Sequence, residues 1–358
     1  MAHLFEPLKL RGITLKNRIG IPPMCQYSAL DGFASDWHFV HYGSRATGGA
    51  ALLIVEATAV VPEGRISPGD LGIWRDEHID ALSRIARFAK AQRCVPAIQL
   101  AHAGRKGSTN LGWQAQGALG DGGWQVVAPS RVSFGKGYVM PCELDQAGIL
   151  SVIDGFASAA RRALAAGFEA VEIHAAHGYL LHQFLSPLSN LRRDEWGGSF
   201  ENRARLVTCV AQAVRAVWPE HLPLFVRLSA TDWVEGGWNA DETVELCRIL
   251  KNLGVDLVDV SSAGLVPDAV IPAGPGFQTG FAARVRAEAG IASAAVGMIT
   301  SAAQADHIIR TGQADIALIG REMLRNPYWP LDAARELGQQ TGWPLQYLRA
   351  APAGSTGY

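Results

Sequence analysis

Two histidines and a tyrosine follow one another closely where a short, mainly apolar run ends. The run covers residues 170–173, and His174, His177 and Tyr179 come next in the segment HAAHGY. Two histidine rings can hold a carbonyl-type oxygen and stabilise negative charge that develops on it. A tyrosine with an ordinary pKa of about 10 is protonated at pH 7 and can act as a general acid. The spacing therefore predicts an active site that acts on a carbonyl-type oxygen.

The same two histidines could instead ligate a metal ion. A catalytic zinc needs a third protein ligand, usually His, Asp, Glu or Cys. The ends of neighbouring predicted strands carry Ser229, Ala230, Ser261 and Ser262 rather than such residues. We therefore predict that the site holds no metal.

A charged residue interrupts an apolar strand pattern further along the chain. Arg227 lies within the run LPLFVRLS at 222–229. An unpaired cation is costly to bury, so Arg227 needs either an anionic ligand or an ion pair with a neighbouring acid. Glu172 and Asp259 are the acids that other strands could offer, and the pattern leaves both alternatives open.

Further positions suggest a ligand that has a planar ring and a phosphate. Gln99 points inward from its predicted strand, where its amide could bind a heterocycle or make an ordinary buried hydrogen bond. Gly297 and Gly320 end two late strands, and Arg321 follows the second glycine. Glycines let backbone N–H groups approach an anion, and arginine adds a fork of donors. A glycine after a strand is also common in simple turns, so this pattern alone leaves both readings open.

Eight short apolar runs alternate with helical patterns and would position these residues. We predict strands at 18–24, 50–57, 95–101, 170–176, 222–229, 255–262, 292–298 and 314–320. Apolar runs without alternation are typical of parallel strands buried on both faces. Helical patterns lie between them, for example at 76–92, 144–167 and 301–312. These units predict an α/β protein with a single (β/α)8 TIM barrel. A doubly wound sheet is disfavoured because no GxGxxG follows the first strand.

The domain organisation follows from this pattern. We predict one barrel domain over residues 1–350, followed by a flexible tail at 351–358. Within the domain, residues 1–17 form a hairpin that closes the bottom of the barrel, with Gly12 at its turn. Residues 102–144 form a capping insertion over the mouth, and 340–350 form a C-terminal arm.

Composition excludes several classes of protein. The 358 residues are 48% hydrophobic with a formal net charge of −1, so a large core is available and a nucleic-acid partner is disfavoured. No apolar run approaches the roughly 20 residues of a membrane span. The five cysteines are dispersed without a CxxC pair, which argues against a disulfide scaffold, a zinc site or an iron–sulfur cluster. We expect a cytoplasmic protein.

Taken together, the motifs resemble the old yellow enzymes, in particular the bacterial branch that includes the xenobiotic reductases. The resemblance extends from about residue 4 to 349. The matching segments are LKNRIGIPPMCQYS (15–28), LLIVEATAVVPEGRIS (52–67), LGIWRDEH (71–78), IQLAHAGRK (98–106), APS (128–130), the stretch from AGFEAVEIHAAHGY to FENRARL (166–206), VGMIT (296–300) and LIGREMLRNP (318–327).

The resemblance implies noncovalent FMN at the barrel mouth, with NADPH or NADH as reductant. The residues implied to bind FMN are Pro22, Pro23, Met24, Cys25, Ala57, Gln99, Arg227, Gly297, Gly320 and Arg321. The last three would hold the phosphate. Arg227 would lie near the flavin atoms that become negative on reduction, which would give the buried cation its partner.

The resemblance also implies the reaction, that of an NADPH dehydrogenase or ene-reductase with a ping-pong mechanism. The C=C bond of an α,β-unsaturated carbonyl or nitro compound would receive a hydride from the flavin N5 atom. His174 and His177 would bind the substrate oxygen, and Tyr179 would protonate the α-carbon. Tyr27 would be a second tyrosine facing the substrate, and Cys25 would tune the flavin potential rather than act as a nucleophile.

Three regions concern assembly and substrate range. The segment QYLR resembles an arm whose arginine, here Arg349, reaches the active site of a neighbouring subunit, which implies a homodimer or homotetramer. Loop 107–127 matches no pattern of the family. Val296 stands where relatives carry a bulky aromatic residue.

Other functions that fit part of the pattern are a larger flavin barrel enzyme acting on dienoyl-CoA esters or amines, a metal-dependent barrel hydrolase and a non-catalytic flavin-binding protein. The larger flavin enzymes carry a cysteine cluster for an iron–sulfur centre, which the sequence lacks. A metal-dependent hydrolase would need further metal ligands at the strand ends, which the sequence also lacks. The third would not need His174, His177 and Tyr179 together.

Overall fold

The fold is a closed barrel of eight parallel strands, seen in a computed structural model that describes residues 3–358. Before the barrel comes a hairpin of β1 (Leu8–Leu10) and β2 (Ile13–Leu15). The barrel strands are β3 (Ile19–Ile21), β4 (Leu52–Ala59), β5 (Val95–Ala101), β8 (Ala170–Ala175), β9 (Leu224–Ser229), β10 (Leu257–Ser261), β11 (Ala292–Ala295) and β12 (Ile316–Leu318). Between β5 and β8 lie β6 (Val127–Ala128) and β7 (Cys142–Glu143). The predicted TIM barrel is confirmed, since each predicted strand overlaps one barrel strand.

The helices surround the barrel. They are α1 (Asp36–Thr47), α2 (Ile79–Ala91), α3 (Gln146–Ala165), α4 (Leu180–Leu185), α5 (Phe200–Val217), α6 (Ala240–Asn252), α7 (Thr279–Arg284), α8 (Ala302–Arg310), α9 (Arg321–Arg325) and α10 (Trp329–Glu336). Their ends follow the capping signals of the sequence. The Asp145 carboxylate accepts from the backbone of Gly148 at the start of α3, and Ser301 caps α8 in the same way. Among the described helices, none is both long and apolar enough to cross a membrane.

The barrel strands are buried because both of their faces are covered. Every residue of β4, β5, β8, β9 and β10 is buried, which explains their continuous apolar sequences. Polar residues such as Gln99, Glu172 and Arg227 interrupt these apolar runs. Burying them is costly for stability, so their presence indicates a functional role. Strand order around the barrel follows the chain, and β12 closes the ring by pairing with β3.

The hairpin of β1 and β2 lies against the bottom of the barrel. Leu8 pairs with Leu15 and Leu10 with Ile13. The backbone N–H of Gly12 donates to the carbonyl of His221 at 2.8 Å, and a Cβ at Gly12 would come within 2.7 Å of that oxygen. Gly12 is therefore required by this close approach, while the left-handed residue of the turn is Arg11 with φ +49°. The predicted hairpin is confirmed as β1 and β2. Its predicted bounds of 1–17 stay a prediction, and residues 1 and 2 lie outside the described part.

The insertion between β5 and β8 contains little regular structure. Its first residues form a 3-10 turn at Gly104–Lys106, and the two short strands β6 and β7 pair in parallel. Arg105 donates to the carbonyl of Leu265 at 2.8 Å, which ties the insertion to the loop after β10 at the mouth.

The C-terminal segment folds back on the chain. After α10, residues Leu345–Ala350 form a short 3-10 helix. The backbone N–H of Tyr358 donates to Trp343 at 3.0 Å, and Lys16 lies 4.6 Å from the centroid of the Tyr358 ring. The structure thus places residues 351–358 against the body of the protein, and their predicted flexibility, a statement about motion, stays a prediction.

Candidate active site

The carboxyl ends of the barrel strands surround one cavity of about 380 Å³. This volume suits a small organic ligand, for which sites of roughly 300–1,000 Å³ are usual. Seven of the ten residues predicted to bind a cofactor line it: Pro22, Pro23, Met24, Arg227, Gly297, Gly320 and Arg321. They come from the ends of the first, fifth, seventh and eighth barrel strands, so the fold brings together residues that are about 300 positions apart in sequence.

One end of the cavity is suited to an anion. Gly297 has φ +120° and Met298 has φ +50°, so the backbone after β11 turns sharply at the cavity wall. At Gly320 a Cβ would meet nothing closer than Pro22 at 3.6 Å, which leaves the backbone open to the cavity. Arg321 is exposed and forms no ion pair with any described residue. An unpaired arginine beside open backbone N–H groups fits a phosphate.

Arg227 has an acidic partner and also lines the cavity. Its Nε atom lies 2.8 Å from Oδ2 of Asp259, both side chains being buried, so the ion pair left open by the sequence exists with Asp259. Burial, followed by repulsion from Asp259, raises the pKa of Glu172 to about 8, although Arg227 opposes the shift. Burial also raises the pKa of Asp259, to about 6. The guanidinium thus faces the cavity beside two buried acids, with Asp259 as its ion-pair partner.

Gln99 and Ala57 do not line the main cavity. The Gln99 amide donates to Oε1 of Glu172 at 2.8 Å, which is the ordinary buried hydrogen bond considered from the sequence. Its carbonyl oxygen is not used by that bond. Ala57 borders a small neighbouring space together with Asp70 and Tyr179. Ala57 therefore lies on the side of the site where Tyr179 stands.

His174, His177 and Tyr179 lie side by side. His174 is the last but one residue of β8, and its ring centroid lies 5.2 Å from that of His177 and 5.0 Å from that of Tyr179. His177 adopts φ +58°, a left-handed conformation that is uncommon outside glycine. Its N–H donates to Ser229 at 2.9 Å, and its Nε2 lies 2.7 Å from the hydroxyl of Ser261.

Burial fixes the protonation states of this cluster. Burial, and then the charge of Arg227, lowers the pKa of His174 and of His177 well below the ordinary value. Burial raises the pKa of Tyr179 well above its ordinary value, so the phenol keeps its proton. At pH 7 both imidazoles are neutral, and each offers one N–H donor and one acceptor nitrogen.

The loop after β3 carries Cys25 and Tyr27 into the same region. Burial, and then the charge of Asp70, raises the pKa of the Cys25 thiol well above its usual value, so this cysteine is not a thiolate nucleophile. Tyr27 has φ +49° and packs edge-on against Trp113 with ring centroids 6.0 Å apart. A Cβ at Gly112 would come within 2.5 Å of the Tyr27 ring. The unmatched loop 107–127 thus contacts a predicted substrate-binding tyrosine.

Two predicted residues bear on substrate range and assembly. Val296 lines the cavity, and its carbonyl accepts from Gln278 at 2.9 Å. Arg349 lies in the exposed Leu345–Ala350 turn, and it has no hydrogen bond or ion pair with the described residues of its own chain. It does not line the cavity described above. Its role in a neighbouring subunit stays a prediction.

The sequence reasoning missed some residues of the site. Met298, Ile299 and Thr300 also line the cavity, and the motif VGMIT had included them without a role. Lys106 was quoted only as part of HAGRK, yet its ammonium group donates to the carbonyl of His177 at 2.8 Å. A lysine in a polar, glycine-rich loop gives no signal of burial. Within residues 3–358, no group of three or more His, Cys, Asp and Glu side chains is arranged to hold a metal ion.

Comparisons with known proteins agree with this geometry. The sequence model of the NADH:flavin oxidoreductase / NADH oxidase family matches residues 3–340. An NADPH dehydrogenase from Geobacillus sp. (strain WCH70) is 49% identical over 348 residues, which are 97% of this chain and 98% of that protein. Morphinone reductase superposes with a TM-score of 0.80 at 28% identity, covering 94% of this chain and 90% of its own. The old yellow enzyme homologue from Zymomonas mobilis superposes with a TM-score of 0.78 at 26% identity, covering 94% and 93%.

Proposed function

Because the chain belongs to the NADH:flavin oxidoreductase / NADH oxidase family, which includes the old yellow enzymes, we propose that it is an ene-reductase. It reduces the C=C bond of α,β-unsaturated carbonyl or nitro compounds, with NADPH or NADH as reductant. The observation that carries this proposal is the neutral pair His174 and His177, with Tyr179 beside it, next to a cavity that ends in Arg321. The family and its oxidoreductase class are established by the match; the substrate class and the roles below are proposed.

The residues of the cavity fit FMN. Pro22, Pro23 and Met24 give an apolar wall, Arg227 gives a buried cation, and Gly297, Gly320 and Arg321 suit the phosphate. Gln99 and Ala57, beside the cavity, would bind polar edges of the ring system. FMN, when bound, supplies the reversible hydride chemistry of the reaction.

His174 and His177 bind and polarise the substrate oxygen. Hydride addition to an enone leaves negative charge on that oxygen, and preplaced N–H donors stabilise the charge without reorganisation. Neutral rings suit this task because each keeps a donor without introducing a cation that would bind anions indiscriminately. Removing one such donor typically costs about 3 kcal/mol in the barrier.

Tyr179 supplies the proton that completes the reduction. Its ring centroid lies 5.0 Å from that of His174, so a substrate oxygen held by the histidines places the α-carbon near the phenol. Since burial raises the pKa of Tyr179, the residue holds its proton through the whole neutral range. Tyr27 contacts the substrate from the opposite loop. Cys25, as a neutral thiol, tunes the flavin potential.

The reductant and the alkene use the same site in turn, which gives ping-pong kinetics. A nicotinamide carries a carboxamide oxygen that the histidine pair can bind as it binds an enone oxygen. The similarity to NADPH dehydrogenases supports NADPH as reductant.

We also propose a homodimer or homotetramer in which Arg349 completes the neighbouring site. Large apolar side chains are exposed in two places, first near α1 and then in the C-terminal turn: Leu30, Trp37, Val40, Leu345, Tyr347 and Leu348. Such surfaces are typical of protein contacts. Trp37 donates to Gln26, the residue after Cys25, so the first surface adjoins the active-site loop. A cytoplasmic location fits a protein of this class.

The decisive experiment is a two-step kinetic measurement on the protein loaded with FMN. Under anaerobic conditions we expect NADPH to reduce the flavin. Added 2-cyclohexenone should then reoxidise the flavin and yield cyclohexanone. A crystal soaked with p-hydroxybenzaldehyde should show its phenolic oxygen between His174 and His177. A protein that fails to bind FMN, or whose reduced form is inert toward enones and nitroalkenes, would refute the proposal.

A further inference from the structure

Lys106 is a buried ammonium group that no acid neutralises. It lies in the Gly104–Lys106 turn after β5, and burial lowers its pKa to about 8. None of the ion pairs between described residues involves it. Its partners are two backbone carbonyls, those of His177 at 2.8 Å and Gly264 at 2.9 Å. The carbonyl dipoles satisfy two of the three N–H donors but leave the net charge in place, so the charge acts on its surroundings.

The two carbonyls belong to the loops that shape the substrate site. His177 and Gly178 both have positive φ, +58° and +73°, and the backbone of Gly264 packs directly against them. Other side chains satisfy the rest of this turn, since Gly178 donates to His182 and accepts from Gln183, each at 2.8 Å. Lys106 joins the loops after β8 and β10 at the point where the His177 backbone is left-handed.

The same ammonium group lies between two aromatic rings. Its Nζ is 5.1 Å from the centroid of the Tyr179 ring and 4.4 Å from that of Phe134 in the capping insertion. A cation held over the face of a ring is attracted to it. For Tyr179 the consequence is greater, because proton loss turns this ring into an anion within a few ångströms of the cation.

We propose that Lys106 is a positioning residue whose charge also makes Tyr179 a better proton donor. This proposal rests on the proposed function, in which a hydride adds to the β-carbon and the Tyr179 phenol protonates the α-carbon. The phenol O–H bond breaks as the α-carbon–hydrogen bond forms, and the phenolate regains its proton from water. The ammonium group stabilises the phenolate in between, and its two hydrogen bonds hold the His177 turn beside it.

The charge hypothesis predicts a specific dependence on pH. Lys106 is charged below its pKa of about 8 and neutral above it. Its stabilisation of the Tyr179 phenolate is therefore present at pH 6.5 and lost by pH 9.5. Three neighbouring groups do not change charge in that window, because His174 and His177 are already neutral and Tyr179 keeps its proton. Burial lowers the pKa of Arg105 to about 10, so Arg105 begins to lose its charge only at the upper end of the window. Glu56 and Glu172 do titrate near 8, so the assignment depends on variants rather than on the wild-type profile alone.

The test compares wild type with Lys106→Met in stopped-flow oxidation of the reduced enzyme by 2-cyclohexenone. We expect the variant to be about tenfold slower at pH 6.5, the equivalent of one pKa unit in the acid. The ratio of the two rates should fall toward a small constant by pH 9.5, because the wild-type lysine is then neutral as well. Lys9→Met, which removes an exposed lysine from β1 on the far side of the barrel, should follow wild type at every pH.

Two results would overturn the proposal. A ratio that stays constant from pH 6.5 to 9.5 would mean that Lys106 serves structure alone. If Lys106→Met does not fold or bind FMN, the variant Tyr179→Phe, which keeps the native lysine, gives the same test. Its oxidation rate should be lower than that of wild type and should not decrease further as the pH rises through 8. A decrease in rate near pH 8 like that of wild type would contradict the role of the charge. A wild-type enzyme that does not react with the enone at all refutes the proposed function itself, which separates the two failures.

Discussion

At the scale of single residues, burial determines what each group at the mouth can do. His174 and His177 are neutral because a buried imidazole next to Arg227 loses more hydration on protonation than it can recover. Cys25 and Tyr179 keep their protons for the corresponding reason, since their charged forms are anions. These groups are therefore neutral and lie beside two cations, Arg227 and Lys106, an arrangement that is suited to negative charge that appears only during the reaction.

The histidine pair can be tested by removal. We expect His174→Ala with His177→Ala to slow oxidation of the reduced enzyme by 2-cyclohexenone by at least about 100-fold, because an oxyanion donor is worth about two to three orders of magnitude. Flavin reduction by NADPH should continue with weaker binding of the nicotinamide, because no negative charge develops on its carboxamide oxygen during hydride transfer. His221→Ala, at an exposed position beneath the barrel, is the matched control and should leave both half-reactions unchanged. An equal loss of both half-reactions in the double variant would point to a disturbed cofactor site instead.

His102 gives a residue-scale prediction about stability. It ends the run of β5, and burial lowers its pKa from about 6.5 to about 4. Between these values the unfolded chain binds a proton that the folded protein does not, so stability falls as pH drops from 6.5 toward 4. We expect His102→Asn to reduce the slope of unfolding free energy against pH by about 1.4 kcal/mol per pH unit in this window. Unfolding free energies are measured by urea unfolding of wild type and His102→Asn over this pH range. Equal slopes against pH in the two proteins would contradict the lowered pKa of His102.

At the scale of elements, the capping insertion shapes the substrate side of the mouth. Gly112 approaches the Tyr27 ring so closely that a Cβ would lie 2.5 Å from it, and Trp113 packs on the same ring. The insertion thus fixes Tyr27 from outside the barrel, although it contributes no residue to the wall of the main cavity.

Gly112→Ala should displace Tyr27 and weaken ligands that contact it. Crowding of this kind costs about 1 kcal/mol, which corresponds to roughly fivefold weaker binding of p-hydroxybenzaldehyde. FMN content should not change. The same loop offers its own control, because a Cβ at Gly120 would meet nothing within 4 Å. Gly120→Ala should therefore bind the phenol as wild type does, and equal weakening in both variants would assign the effect to the loop as a whole.

The elements also show what the sequence could and could not predict. Strands such as β4 were predictable because burial on both faces leaves eight consecutive buried residues in an apolar run. The predicted strand at 292–298 ends at Ala295 instead, since Gly297 and Met298 turn the backbone with positive φ to form the cavity wall. Lys106 was not predicted because its burial depends on three loops that meet only in the folded barrel. The position of loop 107–127 likewise depends on its contact with Tyr27.

At the scale of the whole molecule, the C-terminal turn bears on the proposed oligomer. Arg349 has no partner among the described residues of its own chain, and apolar side chains surround it on the C-terminal turn. Both features fit an arginine that acts in another subunit.

Mixing two inactive variants can test this sharing. In a hybrid of Arg349→Ala with the His174→Ala, His177→Ala double variant, the site with intact histidines would receive Arg349 from its partner. We expect activity to return to about a quarter to a half of the wild-type value after unfolding and refolding the mixture. Activity that stays at the level of the separate variants would place Arg349 in its own subunit or outside the reaction. This test requires Arg349→Ala alone to be clearly impaired, and a fully active single variant would already exclude the role.

The hairpin at the far end of the barrel has a consequence for how ligands reach the active site. Arg11 is bonded to Asp256 at 2.6 Å, and Gly12 is pressed against the carbonyl of His221, so the base beneath β9 and β10 is covered. The cavity lies at the opposite end of the barrel, at the carboxyl ends of the strands, so a ligand reaches it from the mouth. In the proposed reaction the alkene and the reductant use the same site, so an alkene in large excess is expected to occupy the oxidised enzyme and slow reduction of the flavin by NADPH.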